Sequence, residues 1–460
     1  MNVPSLSQPK IAEVVTNDLC IACGACVEVC PTKVIKPAYN EFRAAHEVRI
    51  DDLQACQSCT AQPCDSVCPS IRVDLPDLAR RSMGLNVSDM SRQGPVTGVF
   101  LGYSQPHRDN GVSSSGGIVR LLIQTALTAS TPVICLIKKE HGHGPAILRS
   151  VAELAKVPGS IYHGIGFLDA IPLLRSVDQP CYLVSTPCQL EGILKYAVDH
   201  EPALLDKIAL KIGLICGWMY SDHSLHAFMT YKGIKGDFTD ANYRGEDKVG
   251  LLKIRTGEGE HKFHRRVFAG RAERLDYAAS FSSGANRLRC RLCQDHLNVL
   301  CDVAVGDAWL ARKHEQKLSI IVTRTPAGLK ILRSLEAAGS LHLESSGEND
   351  IIESQSEDLV EGQTARRFSR HLRSIGMATP EFVYAETTRQ EPPPTLAEQA
   401  GFGIERLLRW LLRNKNYRLF RSVYLLRHLS RYHPWVGRLF RIPGKLFRLL
   451  KDRKTTALSA

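Results

Sequence analysis

Eight of the fifteen cysteines lie in two runs near the N-terminus, and each run closes on Cys-Pro. The first is Cys20-x2-Cys23-x2-Cys26-x3-Cys30-Pro31, and the second is Cys56-x2-Cys59-x4-Cys64-x3-Cys68-Pro69. Spacers this short draw three thiolates around one point. The proline then turns the chain away, because it can neither extend a helix nor donate a backbone hydrogen bond. Such a segment must wrap around whatever the sulfurs hold, so its fold is set before any apolar core is considered. Tetrahedral zinc also uses C-x2-C pairs, but two complete four-cysteine runs in tandem are the pattern of paired 4Fe–4S clusters.

C-x2-C-x2-C-x3-C-P resembles the ligand run of bacterial-type ferredoxins, in which the fourth cysteine serves the other cluster. That resemblance groups Cys20, Cys23 and Cys26 with Cys68, and Cys56, Cys59 and Cys64 with Cys30. The second run departs from the pattern, with four residues rather than two between Cys59 and Cys64. Its site is therefore the less regular of the two. A chain built this way moves electrons.

At 460 residues the chain has room for two or three domains. No apolar run reaches the roughly 18 residues of a membrane span, and the first residues lack the basic and apolar regions of a secretory signal. This many cysteines without such a signal read as metal ligands in a reducing compartment, which points to the cytoplasm. The net charge of +12 is unevenly placed. Phe402 to Lys454 holds 15 Lys/Arg against Glu405 and Asp452, a net of +13, which leaves −1 for the rest.

Four regions follow: a two-cluster module (1–80), a larger domain (95–345), a polar, proline-containing linker (346–397) ending in Glu391-Pro-Pro-Pro394, and a basic amphipathic tail (398–460). Within 1–80, Pro37 to Ile50 supplies short strands. In the larger domain apolar runs at 132–137, 181–185, 208–215, 302–305 and 319–323 predict buried strands. They alternate with amphipathic stretches at 118–129, 168–177, 189–198, 224–231 and 327–338, which predict helices. The expected class is α/β, with a largely buried mixed sheet behind a small ferredoxin-like module, α+β overall.

Short motifs in that domain carry the remaining chemistry. Ser113-Ser114-Ser115-Gly116-Gly117 precedes a predicted helix, where small residues and a helix N-terminus suit an anion, although such a loop also serves as a plain cap. Thr186-Pro-Cys188-Gln189 and Ile212-Gly-Leu-Ile-Cys216 put cysteines at strand ends. Cys290-x2-Cys293 adds two more, and Cys301 competes with them as a ligand. Cys135 and Cys181 fall inside apolar strands, as buried thiols do. Gly164-Ile-Gly166 lacks the third glycine of a dinucleotide fingerprint.

Taken in order, Ser113–Gly117, Gly159-Ser160-Ile-Tyr162, Thr186–Gln189, Ile212–Cys216, Tyr243-Arg244-Gly245, Cys290-x2-Cys293 and Val305-Gly-Asp-Ala-Trp309 resemble the family of coenzyme F420 hydrogenase/dehydrogenase beta subunits. The resemblance covers roughly residues 20–340. It implies FAD contacted by the Ser113–Gly117 loop, beside a third 4Fe–4S cluster held by Cys188, Cys216, Cys290 and Cys293. It leaves exchange of Cys301 for Cys216 open.

Clusters pass single electrons, whereas a flavin accepts singles and delivers pairs. The expected function is an FAD- and iron–sulfur-dependent oxidoreductase that takes electrons from a ferredoxin-type donor to an organic substrate. The alternative is an electron-relay beta subunit of a larger hydrogenase/dehydrogenase-type complex, reacting with coenzyme F420. Proton donors to consider are His107, Lys138, His141, His143 and His163. The tail, with Arg406, Arg409, Arg413, Arg418 and Arg421 among Leu, Trp and Phe residues, suits the inner membrane surface or an acidic protein. Helices folded on the body are the competing reading, and nucleic acid is the least favoured partner.

Overall fold

The computed structural model describes residues 10–85, 90–139, 142–244, 251–264, 271–310, 317–384 and 392–432. The cysteine module is built on one hairpin, β1 (Ile35–Asn40) and β2 (Ala45–Ile50), paired antiparallel from Ile35↔Ile50 to Asn40↔Ala45. Short helices Ala25–Val29, Leu53–Ser58 and Pro63–Val67 carry or flank the thiols, and each stops at or just before a cysteine. A third strand, β3 (Arg72–Asp74), leads into the helix Leu75–Met83.

The body is one eight-stranded mixed sheet. Its strands are β4 (Gly98–Ser104), β5 (Val133–Lys138), β6 (His143–Leu148), β7 (Cys181–Ser185), β8 (Ile208–Leu214), β12 (Val303–Asp307), β13 (Ser319–Thr323) and β14 (Leu341–Ser345). Chain order interposes a small antiparallel sheet of β9 (Phe238–Asn242), β10 (Leu251–Thr256) and β11 (Gly259–His264). The spatial order is β14-β4-β13-β12-β8-β7-β5-β6. Strands β5, β7, β8 and β12 run parallel, flanked by antiparallel β6 on one side and by β13, β4 and β14 on the other.

Both faces of the sheet are covered, which is why its central strands are near-continuous apolar runs. Helices Ile118–Thr128 and Pro326–Ala337 pack on one face through Leu121, Leu122, Leu332 and Leu335. Helices Leu75–Met83, Ala170–Ser176 and Pro187–His200 cover the other through Leu78, Ile171, Leu190, Ile193 and Leu194. The cysteine module rests on that second face.

One expectation is corrected. Residues 346–384 are not a linker: helices Glu348–Gln355, Glu357–Glu361 and Gln363–Ser374 lie there, while 385–391, before the prolines, lie outside the described residues. The helices are followed by β15 (Glu381–Val383), which pairs parallel with β3. The segment is polar because it is thin, showing one face to solvent while Phe368, Leu372 and Phe382 carry its apolar contacts.

The tail is also folded as far as it is described. Helix Leu396–Arg413 opens on a Thr395/Glu398 capping box. It buries Phe402, Glu405, Leu408, Arg409, Leu411 and Leu412. Glu405 gathers Arg291 at 2.9 Å and Arg427 at 3.0 Å, and Arg413 pairs with Asp18. Part of the basic character is thus spent inside the molecule. Pro434, Trp435, Phe440, Pro443 and Phe447 of the tail lie outside the described residues.

Candidate functional site: three cysteine groups and a serine–glycine loop

Strands β7 and β8 are parallel neighbours, so their carboxyl ends lie side by side. β7 ends at Ser185 and delivers Cys188 in the first turn of helix Pro187–His200, whose Thr186/Gln189 capping box fixes its start. β8 ends at Leu214 and delivers Cys216. The crevice beyond the carboxyl ends of parallel strands is where open α/β sheets bind their ligands.

Cys290 and Cys293 come from helix Leu288–Arg291 and the loop after it. That loop is tied over the strand ends. The Cys216 amide donates to the His296 carbonyl at 2.9 Å, and the Asn298 amide group donates to the carbonyls of Ser185 (2.9 Å) and Leu214 (3.4 Å). Asn298 is fully buried with φ +56°. Sequence reading missed it, yet Asn is the non-glycine residue most at ease there.

Cys188, Cys216, Cys290 and Cys293 lie near enough to act on one another's ionisation. Burial, ahead of all other causes, pushes the Cys188 thiol up to about 12. Cys301 lies elsewhere: its Sγ is 2.5 Å from where a Cβ on Gly213 would stand, within the strand β8. No other cysteine is among the main groups acting on it. The structure therefore brings Cys216, not Cys301, to the other three.

The N-terminal cysteines fall into two groups. Cys68 and Cys20 act on both Cys23 and Cys26, whereas Cys30 acts on both Cys56 and Cys64, joined at Cys56 by Cys59. Burial raises the Cys30 thiol, but the Thr32 hydroxyl (3.5 Å) and nearby backbone amides outweigh it and leave the thiol below its usual value. All fifteen cysteines are free of disulfides. Among the described residues no three His, Cys, Asp or Glu side chains are close enough to share a single metal ion. A zinc site needs its sulfurs about 2.3 Å from one point, whereas thiolates of a cluster each take a different iron and stand further apart.

The first and third groups meet at helix Pro187–His200. Its one face carries Cys188, then Glu191 and Gly192, then Lys195, the i, i+3, i+4, i+7 stripe of a helix. A Cβ on Gly192 would stand 2.6 Å from Cys23 Sγ, so only glycine lets the module come this close. Lys195 donates to the Cys68 carbonyl at 3.2 Å. Arg289 donates to the Pro69 carbonyl at 3.2 Å and faces Glu191 at 3.4 Å. Arg289, Glu191 and Lys195 carry no motif, and only the packing exposes them.

The Ser113–Gly117 loop lies along the same edge of the sheet. Gly116 N and Ser115 Oγ meet Ser319 Oγ at the start of β13, and Ser114 Oγ accepts from Ser160 N and Oγ at 3.1 and 2.8 Å. Two buried cations hold the loop's carbonyls, Lys317 on Ser113 and Arg244 on Ser114. Arg244 also pairs with Asp307 and stacks 5.0 Å from the Trp309 ring, while its buried Nε has no hydrogen-bond partner. Gly117, at φ +77°, begins helix Ile118–Thr128 without a side-chain cap. These features fit an anionic group such as a dinucleotide's pyrophosphate. From β13, which the loop meets, across β12 to β8, which leads to Cys216, is two strand spacings, roughly 10 Å. Gly245 of the Tyr243-Arg244-Gly245 motif lies outside the described residues.

Of the proposed proton donors, Lys138, His143 and His163 lie together and His107 stands apart. His107 is bonded to Gln124, Lys138 pairs with Asp240 at 3.0 Å, and His141 lies outside the described residues. Burial, then the nearby His163, pushes the pKa of His143 down to about 4. His163 is buried with Tyr243 OH 2.8 Å away. Together with His46, Ile165, Met219, Tyr220 and Arg287, it lines a small cavity between module and body, of about 10 Å³, room for about one water molecule.

Residues 179–349 match the family model for the C terminus of the coenzyme F420 hydrogenase/dehydrogenase beta subunit. Residues 13–36, which hold the first cysteine run, match the 4Fe-4S binding domain. The chain is similar to the F subunit of the F(420)H(2) dehydrogenase of Methanosarcina mazei, 24% identical over 318 residues covering 65% of this chain and 80% of the relative.

It is also similar to the coenzyme F420-dependent sulfite reductase of Methanocaldococcus jannaschii, 21% identical over 351 residues covering 73% of this chain. The match spans 49% of that longer protein. Among solved structures, a chain of the F420-reducing NiFe hydrogenase complex from Methanosarcina barkeri aligns with a TM-score of 0.48 at 15% identity, over 63% of this chain and 97% of that one.

Proposed function

We propose that this protein is an iron–sulfur flavoprotein oxidoreductase, with clusters held by Cys20/Cys23/Cys26/Cys68, Cys30/Cys56/Cys59/Cys64 and Cys188/Cys216/Cys290/Cys293, and FAD on the Ser113–Gly117 loop. The observation that carries it is the single helix face, Cys188–Gly192–Lys195, that touches both the first and third cysteine groups. Bound clusters supply one-electron transfer and a flavin turns single electrons into pairs.

The protein's own residues do the rest. The tied loop 292–298 and Asn298 hold the third group at the strand ends. Arg244 and Lys317 hold the Ser113–Gly117 loop open to an anion. The cavity beside His46 and His163 lies between the first and third groups, since Arg287 on its wall donates to the Cys20 carbonyl and Met219 packs against Cys290. The electron acceptor would be an organic substrate. The electron donor would be a ferredoxin-type protein in the cytoplasm.

Anaerobic purification with metal, sulfide and flavin counts tests this reading. Three clusters require about twelve iron per chain. About eight or fewer in well-loaded protein, or no flavin, would overturn it.

A second reading, the relay subunit of a larger complex reacting with coenzyme F420, is favoured by one surface. Leu407 and Trp410 stand one turn apart and exposed on helix Leu396–Arg413, Trp410 at 52%, and the M. mazei relative is itself named as a subunit. An acidic partner or the inner membrane face would meet that helix; no described helix is long and apolar enough to cross a membrane. A relay would co-purify with a catalytic partner and reduce only dyes when alone.

A further inference from the structure

Arg289 is almost completely buried, at 1% side-chain exposure, and faces Glu191, which is equally buried. It stands between two sets of thiols. On one side it donates to the carbonyl of Pro69, the residue after Cys68. On the other it neighbours Cys290 in helix Leu288–Arg291 and meets Glu191, one turn beyond Cys188 on helix Pro187–His200. Phe382 closes over the guanidinium at 4.9 Å. Its Nε and Nη1, and Glu191 Oε1, are buried with no hydrogen-bond partner, so only Nη2, through the Pro69 carbonyl and Glu191, uses the guanidinium's hydrogen-bonding capacity. A buried cation kept at that cost, with water excluded, acts on nearby charge far more strongly than it would at a surface.

We propose that Arg289 is a positioning residue for electron transfer: its charge raises the affinity of the first and third clusters for an electron and levels them. This rests on the cluster assignment above. The step makes and breaks no bond. The group held by Cys20, Cys23, Cys26 and Cys68 loses one electron, the group held by Cys188, Cys216, Cys290 and Cys293 gains it, and dithionite supplies the electron in the test. Lys195 assists on one side only, because its Nζ meets the Cys68 carbonyl and it lies within electrostatic reach of Cys68 and Cys23. The group of Cys30, Cys56, Cys59 and Cys64 does not number Arg289 among the main groups acting on it, which makes it an internal control.

The experiment is a reductive titration of the full chain, loaded with iron and sulfide, followed by electron paramagnetic resonance. Arg289→Gln should lower the electron affinity of the first and third clusters at least tenfold, about 59 mV for a one-electron couple, and leave the second unmoved. Arg289→Lys should restore most of the shift. Unmoved potentials in a fully loaded Arg289→Gln protein, or an equal shift in all three clusters, would overturn the proposal. Should Arg289→Gln fail to load, Lys195→Met decides: a fall confined to the first cluster supports the proposal, and no change in any cluster overturns it. Failure of the wild-type chain itself to bind three clusters would instead sink the cluster assignment.

Discussion

The two N-terminal cysteine groups come from near-duplicate runs, yet the fold treats them differently. Residues 18–26, which carry three of the first group's thiols, are buried without interruption. In the second run Leu53, Gln54, Ser58, Thr60 and Ala61 are exposed and Cys59 is half-buried. The first group is pressed against helix Pro187–His200, while the other faces outward beside Leu53, a 45% exposed leucine. Duplication gave two similar sites; docking on the body pressed one against the third group and left the other at the surface, where a donor can reach it. The wider Cys59-x4-Cys64 spacing falls in the outward one, where packing constrains the chain least.

The largest test of this difference is ligand removal. Cys68→Ala and Cys59→Ala should each lose about four iron per chain. Both should slow reduction of the third group by a ferredoxin-type donor by more than tenfold, but only Cys68→Ala should abolish its magnetic coupling to a neighbour. Equal coupling in both variants would erase the distinction between inner and outer groups.

Next is the brace behind the module, where Phe368, Leu372 and Phe402 share a core with Cys20 and Cys26. Glu405 anchors that brace. Burial alone would raise its carboxyl, but Arg291, Arg427 and Arg409 hold it down to about 2 against an ordinary 4.5. A depressed carboxylate contributes stability that is full above pH 4.5 and is lost as pH falls through about 2. The difference is roughly 3 kcal/mol. Glu405→Gln should cost a similar amount in urea unfolding of the chain at pH 7 and should flatten the acid limb. An unchanged midpoint would mean that the brace does not depend on this cluster.

A smaller effect is expected of Gly192→Ala, about 1–3 kcal/mol for overpacking. The new methyl would strike Cys23, so the first cluster's signal should broaden while the second's stays as it was; a change in the second alone would misplace the contact. Smallest is Leu53→Glu, expected to move stability by less than about 0.5 kcal/mol. It should nevertheless slow reduction by a protein donor several-fold, with dithionite reduction unaffected. Equal rates with the protein donor would put its docking face elsewhere.

The strands at 181–185 and 319–323 were legible because both sheet faces are covered, which turns a strand into a short apolar run. Strands β4, β6 and β14 were not, being interrupted by glycine, proline or polar residues toward the sheet margins. The polar composition of 346–397 hid three helices and a strand, because a segment that buries only one residue per turn reads like a linker. Arginines of the tail read as a charged surface although Arg409, buried, donates to the Ser283 and Asn286 carbonyls.

Cysteine spacing by itself determined that this chain holds iron–sulfur clusters near its N-terminus, since thiolates three residues apart are neighbours in any conformation a short turn allows. It could not choose between Cys216 and Cys301, nor find Arg289, Glu191 and Gly192. Those depend on which strands lie side by side and on how closely a module docks against a helix. Such contacts join residues far apart in the chain, where no period or spacing records them.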